Sequence, residues 1–277
     1  MSIPFRKMNG CGNDFIVIDN RTGIMNEIDL PSFVRRVCQR RVSLGADGVM
    51  LVEPSATADF TMRYFNADGS EGEMCGNGAR CISRFAYLIG AAPASMCFQT
   101  LDGLYAAQIE DEGVSVRFPP LDLDTVKLHQ TSSFDGQTVT YHFTHVGVPH
   151  AVVFVEHADQ MSVADVIQLG RAMRHDTSVF PHGSNVNFVE VLDPDTLRVR
   201  TYERGVEDET LACGSGSTAS AIVSYLLGKV SSSVRVQVNG GMLHIRFSQR
   251  GECMDDITLA GEARTIAVGE LLEEAWR

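Results

Sequence analysis

The sequence predicts an α/β (α+β) fold with two pseudo-symmetric domains, each a mixed or antiparallel sheet around a central helix. Three observations predict this fold. Short strand patterns outnumber helical ones, which favours mixed or antiparallel sheets over a doubly wound parallel sheet. A Cys-Gly-x-Gly turn precedes a helical segment twice, at Cys75 and again 138 residues later at Cys213. The order of elements around the two turns is the same, which indicates an internal duplication.

The first half begins with strands and contains two helices. A helix is predicted over 31–42, because Asp29 suits the N-cap and Pro31 suits the first turn. The turn at Cys75 opens a second helix that ends at Gly90, since glycine commonly follows the last helical residues. Alternating apolar residues predict the strands, which lie near 3–8, 15–19, 49–53 and 59–66, with several short ones in 95–118.

The second half repeats this order. A helix is predicted over 163–174, with Ser162 as its N-cap. The turn at Cys213 opens another helix that ends at Gly228, and strands again close the half. The strands before these helices are predicted near 138–145, 150–156, 185–191 and 196–203.

A linker is predicted between the halves. Pro119-Pro120 and the polar stretch to Asp135-Gly136 indicate it, because proline interrupts strand ladders and Asp-Gly favours turns. The predicted domains are therefore residues 1–120 and 121–263, with a C-terminal strand in 264–277 that packs back on the first domain.

Composition restricts the class of protein and its partners. A chain of 277 residues with 44% hydrophobic content can bury a substantial core. Its formal net charge of -12 argues against nucleic acid as a partner, because binding phosphates requires clustered Lys and Arg. The start of the chain lacks a signal-peptide pattern, and no segment approaches the roughly 18 apolar residues of a membrane span. We expect a cytoplasmic protein that does not bind a membrane; the oligomeric state stays open, and a homodimer is compatible with the sequence.

The seven cysteines are odd in number and scattered, which predicts free thiols in a reducing compartment rather than a disulfide framework. Cys38 and Cys81 fall inside predicted helices and are expected in the core. Cys75 and Cys81 lack a second close Cys or His pair, so no metal is expected. Cys97 and Cys253 carry no functional signal.

No cofactor is expected either. Pyridoxal phosphate needs a Schiff-base lysine, and Lys7, Lys127 and Lys229 are not in plausible site positions. The stretch 214–219 fits a loose dinucleotide-binding pattern. However, no Asp or Glu follows at the ribose position about 20 residues further on.

The two cysteine turns have a chemistry of their own. A thiol at the start of a helix lies beside unpaired backbone N–H groups and the positive end of the helix dipole, which favour a thiolate. The glycines of the turns allow close approach, so the same N–H groups are able to hold a carboxylate. The alternative, that both turns are only inherited backbone geometry, is less favoured because the turns occupy matching positions in two halves.

Two thiols suit the inversion of an α-carbon. Inversion removes a proton from one face and delivers another to the opposite face, so it requires one thiolate and one thiol. Two duplicated domains that face one cleft would supply that pair, and the active site is therefore expected in this cleft. The carbanion also needs preorganised donors at its carboxylate, which two helix N-termini provide.

Three stretches of the sequence resemble the diaminopimelate epimerase family, and the resemblance spans nearly the whole chain. They are 7–15 (KMNGCGNDF), 66–81 (NADGS leading to CGNGARC) and 202–216 (YERG leading to ETLACGSG). The resemblance implies an isomerase that interconverts L,L- and meso-diaminopimelate in lysine and peptidoglycan precursor synthesis, without a cofactor. The chain departs from the family at three places. Val148 stands where the family often has Asn before Pro-His, Gly48 stands where some members have Gln, and the stretch from Arg204 to Cys213 is one residue longer than in some relatives.

The resemblance also implies roles for individual residues. Cys75 and Cys213 would be the catalytic acid and base, and His150 and Glu203 would steer their protonation. The expected substrate-binding residues are Asn13, Asn66, Gly76, Asn77, Asn185, Arg204, Gly214 and Ser215. Among these, Arg204 suits a distal carboxylate, because a guanidinium binds a carboxylate with two parallel hydrogen bonds.

Other functions remain as alternatives. The nearest is another two-cysteine racemase or epimerase, such as one for proline or hydroxyproline. Two further alternatives are a non-catalytic amino-acid binding protein and a thiol-redox protein that uses the same two cysteines.

Overall fold

The computed structural model describes residues 2–72, 74–111 and 113–277. The predicted α/β class is confirmed. The elements of the first half are β1 Ser2–Gly10, β2 Asn13–Asp19, α1 Leu30–Val37, β3 Gly48–Glu53, β4 Phe60–Asn66, β5 Glu71–Gly72, α2 Gly76–Leu88, β6 Ser95–Thr100, β7 Gly103–Glu110 and β8 Gly113–Arg117. Those of the second half are β9 Leu121–Asp122, β10 Lys127–Phe134, β11 Gln137–Val146, β12 Val148–Phe154, α3 Val163–His175, β13 Asn185–Asp193, β14 Thr196–Glu203, β15 Asp208–Thr210, α4 Gly214–Leu226, β16 Ser233–Val238, β17 Gly241–Arg250, β18 Cys253–Gly261 and β19 Arg264–Leu272. Short 3-10 turns cover Leu123–Thr125 and Glu273–Ala275.

The chain forms two compact units. Unit 1 is Met1–Arg117 together with Ala260–Arg277, and unit 2 is Phe118–Leu259. Strand β19 pairs antiparallel with β1, from Leu272 opposite Ser2 to Arg264 opposite Asn9. The end of the chain therefore belongs to the same unit as its start.

Unit 1 has a mixed sheet with α2 against it. Strand β2 pairs antiparallel with β1 and parallel with β3, and β4 pairs antiparallel with β3 and parallel with β6. Strands β6, β7 and β8 continue as an antiparallel meander. Helix α2 contributes Ile82 and Phe85 to a core that includes Phe15, Val17 and Met50. The helix is thus buried on the sheet rather than laid on a solvated surface.

Unit 2 repeats these pairings. Strand β12 pairs antiparallel with β11 and parallel with β13, while β14 pairs antiparallel with β13 and parallel with β16. Helix α4 contacts β11 to β14, β16 and β17. Its sequence is rich in Gly, Ser, Ala and Thr, and ten of its residues are buried, because small side chains allow a helix to approach a sheet closely.

The strand registers define equivalent positions in the two units. In each unit the parallel pair and the following antiparallel pair have the same spacing. Matching them gives these equivalents in unit 1 and unit 2: Phe15 and His150, Met50 and Asn187, Tyr64 and Thr201, Asn66 and Glu203. The two cysteine turns fall at equivalent positions as well, which supports the predicted duplication.

Helix α1 is shorter than predicted, ending at Val37 instead of 42. Its apolar face, with Phe33, Val34 and Val37, stops there, and the chain then turns through Arg41 with a φ of 72°. Asp29 occupies the N-cap position, but its side chain makes no capping hydrogen bond. The predicted C-terminal boundary of α1 is therefore wrong.

Helix α3 begins as predicted. The Ser162 side chain accepts from the Asp165 N–H at 3.1 Å, and the Asp165 carboxylate accepts from the Ser162 N–H at 3.1 Å. This reciprocal capping box satisfies two N–H groups at the start of the helix.

The predicted linker is wrong over most of its length, because Lys127–Phe134 is strand β10 and pairs antiparallel with β11. The polar residues of β10 alternate between exposed and half-buried positions, as expected of a strand with one solvated face. Asp135-Gly136 is the predicted turn, and both residues have positive φ, 47° and 80°, as in a tight hairpin.

Within the described residues, no helix has both the length and the apolar character needed to cross a membrane.

Candidate active site

Cys75 is the N-cap of α2. Its backbone is extended, with φ -134° and ψ 115°, and its sulfur accepts from the Gly78 N–H at 3.4 Å. A Cβ on Gly78 would lie 3.0 Å from Met50 Sδ and 3.4 Å from Cys75 Cβ, so glycine keeps the turn close to the sheet. The N–H groups at the start of a helix favour an anion, and here they face a half-buried sulfur.

Asn77, in the first turn of α2, belongs to a chain of amide hydrogen bonds. Its Nδ2 donates to Asn13 Oδ1, and its Oδ1 accepts from Arg80 Nη2 at 2.8 Å. Asn13 Nδ2 in turn donates to Asp47 Oδ2 at 3.2 Å. The buried Asn77 side chain therefore links the start of α2 to Asn13, and the Asp47 carboxylate orients the Asn13 amide.

Arg80 is fully buried, although it carries a charge. Its guanidinium donates to the Gly76 carbonyl at 3.3 Å and to the Glu262 carbonyl at 3.4 Å, in addition to Asn77. All three acceptors are uncharged oxygens, so they do not neutralise the guanidinium. The arrangement holds a cation beneath the first turn of the helix that Cys75 caps.

Asn66 lies at the end of β4. Its Nδ2 donates to Ser70 Oγ at 3.1 Å, and its N–H donates to the Ser70 carbonyl at 2.9 Å, so it closes the turn that leads to β5. Gly48 lies opposite Asn66 on β3. A Cβ on Gly48 would lie 2.7 Å from the Tyr64 ring and 2.5 Å from the Phe65 carbonyl oxygen, so a glutamine does not fit here without movement.

Cys213 is the N-cap of α4 and repeats the geometry of Cys75. Its φ is -116° and ψ 110°, and its sulfur accepts from the Gly216 N–H at 3.4 Å. The Ser215 hydroxyl lies 3.6 Å from the sulfur. Gly214 and Ser215 form the first turn, as predicted. Cys213 is 5% exposed, so its surroundings are drier than bulk water.

Asn187, on β13, lies directly beneath the α4 turn. A Cβ on Gly216 would lie 2.3 Å from Asn187 Oδ1 and 3.1 Å from the Cys213 sulfur. Asn187 Oδ1 accepts from Thr201 Oγ1 at 2.9 Å. Sequence reasoning missed Asn187 and Thr201; the signal was a polar residue two positions after Asn185 in an otherwise apolar strand.

His150, on β12, is fully buried. Its Nδ1 lies 3.3 Å from Asn187 Nδ2. Burial, with a smaller contribution from the positive charges of His145 and Arg204, lowers the pKa of His150 to about 3. A neutral imidazole is the expected form at neutral pH, so His150 offers a neighbour a ring N–H or a lone pair and not a positive charge.

Glu203 and Arg204 follow each other at the end of β14. Glu203 Oε2 accepts from Thr210 Oγ1 at 2.8 Å, which joins it to β15. The Arg204 N–H donates to Asn185 Oδ1 at 2.7 Å, and Arg204 Nη1 donates to the His182 carbonyl at 3.0 Å. The structure therefore brings Asn185 and Arg204 together, with the Asn185 amide fixed by the backbone.

Other cysteines are in less reactive settings. Burial raises the pKa of Cys81 and of Cys38 to about 12, and burial also raises the pKa of Cys11. Cys38 and Cys81 are both buried in the hydrophobic core, as expected. These three thiols stay protonated near neutral pH, whereas Cys75 and Cys213 lie beside helix N–H groups that favour a thiolate.

One group in the described part of the chain has metal-ligand chemistry: His157, Asp159 and Glu190. Arg198 Nη1 lies 3.1 Å from Glu190 and 3.5 Å from Asp159. The Glu190 carboxylate also accepts from the Ala158 N–H. The Arg198 guanidinium thus already pairs with these carboxylates, in the place that a metal ion would take. The group shares no residue with the two cysteine turns.

The fold is that of solved racemases and epimerases. A hydroxyproline epimerase from Agrobacterium vitis has a TM-score of 0.72 at 15% identity, covering 100% of this chain and 92% of that one. A probable proline racemase from Agrobacterium radiobacter has a TM-score of 0.71 at 14% identity, covering 98% and 93%. At such identities the likeness shows a common fold of two units and nothing about the substrate.

Sequence comparison narrows this class to one family. The sequence model of the family described as diaminopimelate epimerase matches residues 5–119 and 142–266. A diaminopimelate epimerase from Chlorobaculum tepidum is 46% identical over 271 residues, covering 95% of this chain and 99% of that protein. One from Aquifex aeolicus is 43% identical, covering 98% and 99%. The chain belongs to the diaminopimelate epimerase family, and the predicted family and isomerase class are confirmed.

Proposed function

We propose that this isomerase interconverts L,L- and meso-diaminopimelate by two-base proton transfer at the α-carbon, with Cys75 and Cys213 as the two bases. The observation that carries the proposal is the repeated geometry of the two turns. Each cysteine caps a buried helix and accepts from the N–H three residues further on. The thiolate that takes the proton and the thiol that delivers one then have equivalent local geometry, as a reversible inversion requires.

The helix starts also suit the carboxylate next to the reacting carbon. Gly76 and Gly214 carry no side chain over the first turn, so the N–H groups there are open to close approach. Negative charge that spreads onto this carboxylate during the reaction strengthens those hydrogen bonds. No added cofactor is needed for such a step, because the electron sink is the substrate's own carboxylate.

The residues around Arg204 favour a substrate with a second charged end. Arg204 offers a guanidinium for a distal carboxylate, and Asn185, fixed by the Arg204 N–H, presents its Nδ2 as a donor. We assign Asn13, Asn66 and Asn77 a supporting role in substrate binding, since their side chains also hold each other or the adjacent turns. Proline and hydroxyproline have one carboxylate, so they would leave this charge unused.

The alternative activities are less supported. The proline and hydroxyproline enzymes share 14% and 15% identity with this chain, against 46% and 43% for the two diaminopimelate epimerases. A binding protein would not exchange the substrate α-hydrogen with solvent deuterium. A redox protein would show dithiol activity without an amino acid. As a small-molecule enzyme of lysine and peptidoglycan precursor synthesis, the protein would act in the cytoplasm.

The test is a pair of single substitutions, Cys75→Ala and Cys213→Ala. Each variant should lose epimerisation of L,L-diaminopimelate by at least about 100-fold, because one face of the carbon then lacks its proton carrier. The matching Cys→Ser variants should fail too, since a hydroxyl is far harder to ionise than a thiol. Parallel assays with L-proline and trans-4-hydroxy-L-proline decide the substrate.

Circular dichroism and thermal unfolding serve as the control for folding. Both cysteines lie at helix starts, and each loses a weak sulfur hydrogen bond, so the variants should remain folded. A folded alanine variant with near wild-type inversion would refute the two-thiol mechanism. A higher kcat/KM for racemisation of proline than for epimerisation of diaminopimelate would refute diaminopimelate as the substrate.

A further inference from the structure

The orientation of the Asn187 amide is fixed by its neighbours. Its Nδ2 lies 2.9 Å from the Ala151 carbonyl oxygen, which only accepts hydrogen bonds. Its Oδ1 accepts from Thr201 Oγ1 at 2.9 Å. Exchanging the two amide atoms would place oxygen against the Ala151 oxygen, so the Nδ2 group must point toward β12.

This orientation determines where His150 carries its proton. An amide nitrogen has two hydrogens; one goes to the Ala151 carbonyl, and the second faces His150 Nδ1 at 3.3 Å. Nδ1 therefore has to accept, which places the single ring proton of neutral His150 on Nε2.

The Nε2 atom of His150 is buried and has no hydrogen-bond partner among the described residues. A buried N–H without an acceptor is unfavourable, because the hydrogen bond it made to water in the unfolded chain is not replaced. Buried polar atoms without a partner are uncommon in folded proteins, and a bound ligand is one group that supplies the missing partner.

We propose that Asn187 is a positioning residue that fixes His150 as a neutral Nε2–H donor, and that this N–H serves a carboxylate oxygen of the bound amino acid. The inference rests on the proposed function for the identity of the acceptor, but the tautomer follows from unit 2 alone. His150 then stabilises negative charge and does not remove a proton. The Asn187 oxygen also supports the Cys213 turn, because it lies against Gly216.

Nitrogen-15 NMR of histidine-labelled protein reads the tautomer directly. The wild-type protein should show His150 with an unprotonated Nδ1 and a protonated Nε2, assigned by its loss in His150→Gln. Added L,L-diaminopimelate should shift the Nε2 proton downfield. A wild-type His150 protonated on Nδ1 would overturn the inference whether or not any variant folds, and an unmoved Nε2 proton would overturn the substrate contact.

Two variants separate positioning from simple packing. Asn187→Asp replaces the donor by an acceptor, so the His150 proton should move to Nδ1. Thr201→Val is the matched control, because it removes the hydrogen bond at the other end of the amide and leaves Nδ2 in place. It should keep the Nε2–H tautomer. A folded Asn187→Asp protein with an unchanged His150 tautomer, or a Thr201→Val protein with a changed one, would refute the role of Asn187.

Kinetics test what the donor does. Asn187→Asp should lower kcat roughly 100-fold, in the range known for removing one preorganised donor to a developing anion. The two hypotheses can fail separately. A protein that shows an Asn187-dependent Nε2–H tautomer but does not epimerise diaminopimelate would support the inferred tautomer and refute the proposed substrate. An active enzyme with the opposite tautomer would retain the function and lose this inference.

Discussion

The start of α2 in unit 1 and the start of α4 in unit 2 share their backbone but not their surroundings. Both are capped by a cysteine whose sulfur accepts at 3.4 Å from the N–H three residues later. Beneath the first turn lies Met50 in unit 1 and Asn187 in unit 2, at equivalent positions of equivalent strands. The thiol geometry was thus kept in both copies while the side chains beneath it diverged.

The divergence extends to the neighbours of those two residues. In unit 1, Met50 is opposite Tyr64, and Phe15 occupies the place that His150 has in unit 2. In unit 2, Asn187 bonds Thr201 and faces the histidine. On the side that faces the sheet, the Cys75 turn therefore lies against the apolar Met50 side chain, whereas the Cys213 turn lies against a buried hydrogen-bond network. The two thiols share their geometry but not their neighbours on the sheet.

The two units also differ at the fifth residue after each cysteine, which is Arg80 in unit 1 and Thr218 in unit 2. Arg80 Nη1 donates to the Gly76 carbonyl at 3.3 Å, and Thr218 Oγ1 donates to the Gly214 carbonyl at 3.0 Å. The same backbone oxygen is bonded in each unit, by a cation in one and by a hydroxyl in the other. Unit 1 thus has buried charge at its helix start, and unit 2 has buried neutral polarity.

The largest expected difference in stability concerns this position. Arg80→Met should lower the free energy of unfolding by about 3 kcal/mol, because it removes the buried hydrogen bonds that the guanidinium donates to the Asn77 oxygen and to the Gly76 and Glu262 carbonyls. Thr218→Val should cost about 1 kcal/mol, since one neutral hydrogen bond is lost. Urea unfolding of both variants measures this, and equal costs would contradict the contrast.

The two glycines whose N–H groups donate to the cysteine sulfurs give a second difference. Gly216→Ala should destabilise the protein by about 2–3 kcal/mol, because the new Cβ would lie 2.3 Å from the fixed Asn187 oxygen. Gly78→Ala should stay within about 1 kcal/mol of wild type, since Met50 Sδ is the movable end of a flexible side chain and alanine favours a helix. Thermal unfolding measures both variants. A larger loss of stability in Gly78→Ala than in Gly216→Ala would contradict the expected difference between the two units.

The pH dependence of stability separates His150 from its counterpart Phe15, which does not titrate. Burial lowers the pKa of His150 to about 3, from about 6.5 in the unfolded chain. Between those values the unfolded state binds a proton that the native state does not, so the free energy of unfolding falls as pH falls. The contribution is about 1.4 kcal/mol per pH unit over that window.

His150→Gln removes this contribution. Its free energy of unfolding, measured with urea between about pH 4 and 6.5, should fall less steeply with acidification than that of the wild type. Parallel pH profiles for the two proteins would mean that His150 is protonated in the native state.

Local sequence signals predicted the parts of the fold that depend on local chemistry. Ser162 capped α3 as expected, and Asp135-Gly136 formed the expected turn. The two cysteine turns were found from their glycines. The end of α1 and the strand β10 were missed, because the first depends on a turn at Arg41 and the second on pairing with β11.

The interior of the candidate site was harder to predict, for a similar reason. Asn187 and His150 are 37 residues apart and meet only because β12 and β13 run parallel. Family resemblance pointed to His150 but gave no reason to single out Asn187. Pattern alone does not show which of two alternating asparagines lies beneath a helix, since that depends on the register of the packed strands.

In the proposed mechanism two thiols, on opposite faces of one carbon, exchange the α-proton. This exchange can be followed with L,L-diaminopimelate in deuterated water during the first turnovers, by mass spectrometry and proton NMR of each isomer. Two-thiol transfer should place deuterium at the inverted carbon of the meso product while unreacted L,L substrate keeps its hydrogen, because the delivering thiol has equilibrated with solvent. Meso product that retains the substrate's own hydrogen at the inverted carbon would show that one group does both transfers and would refute the two-thiol mechanism.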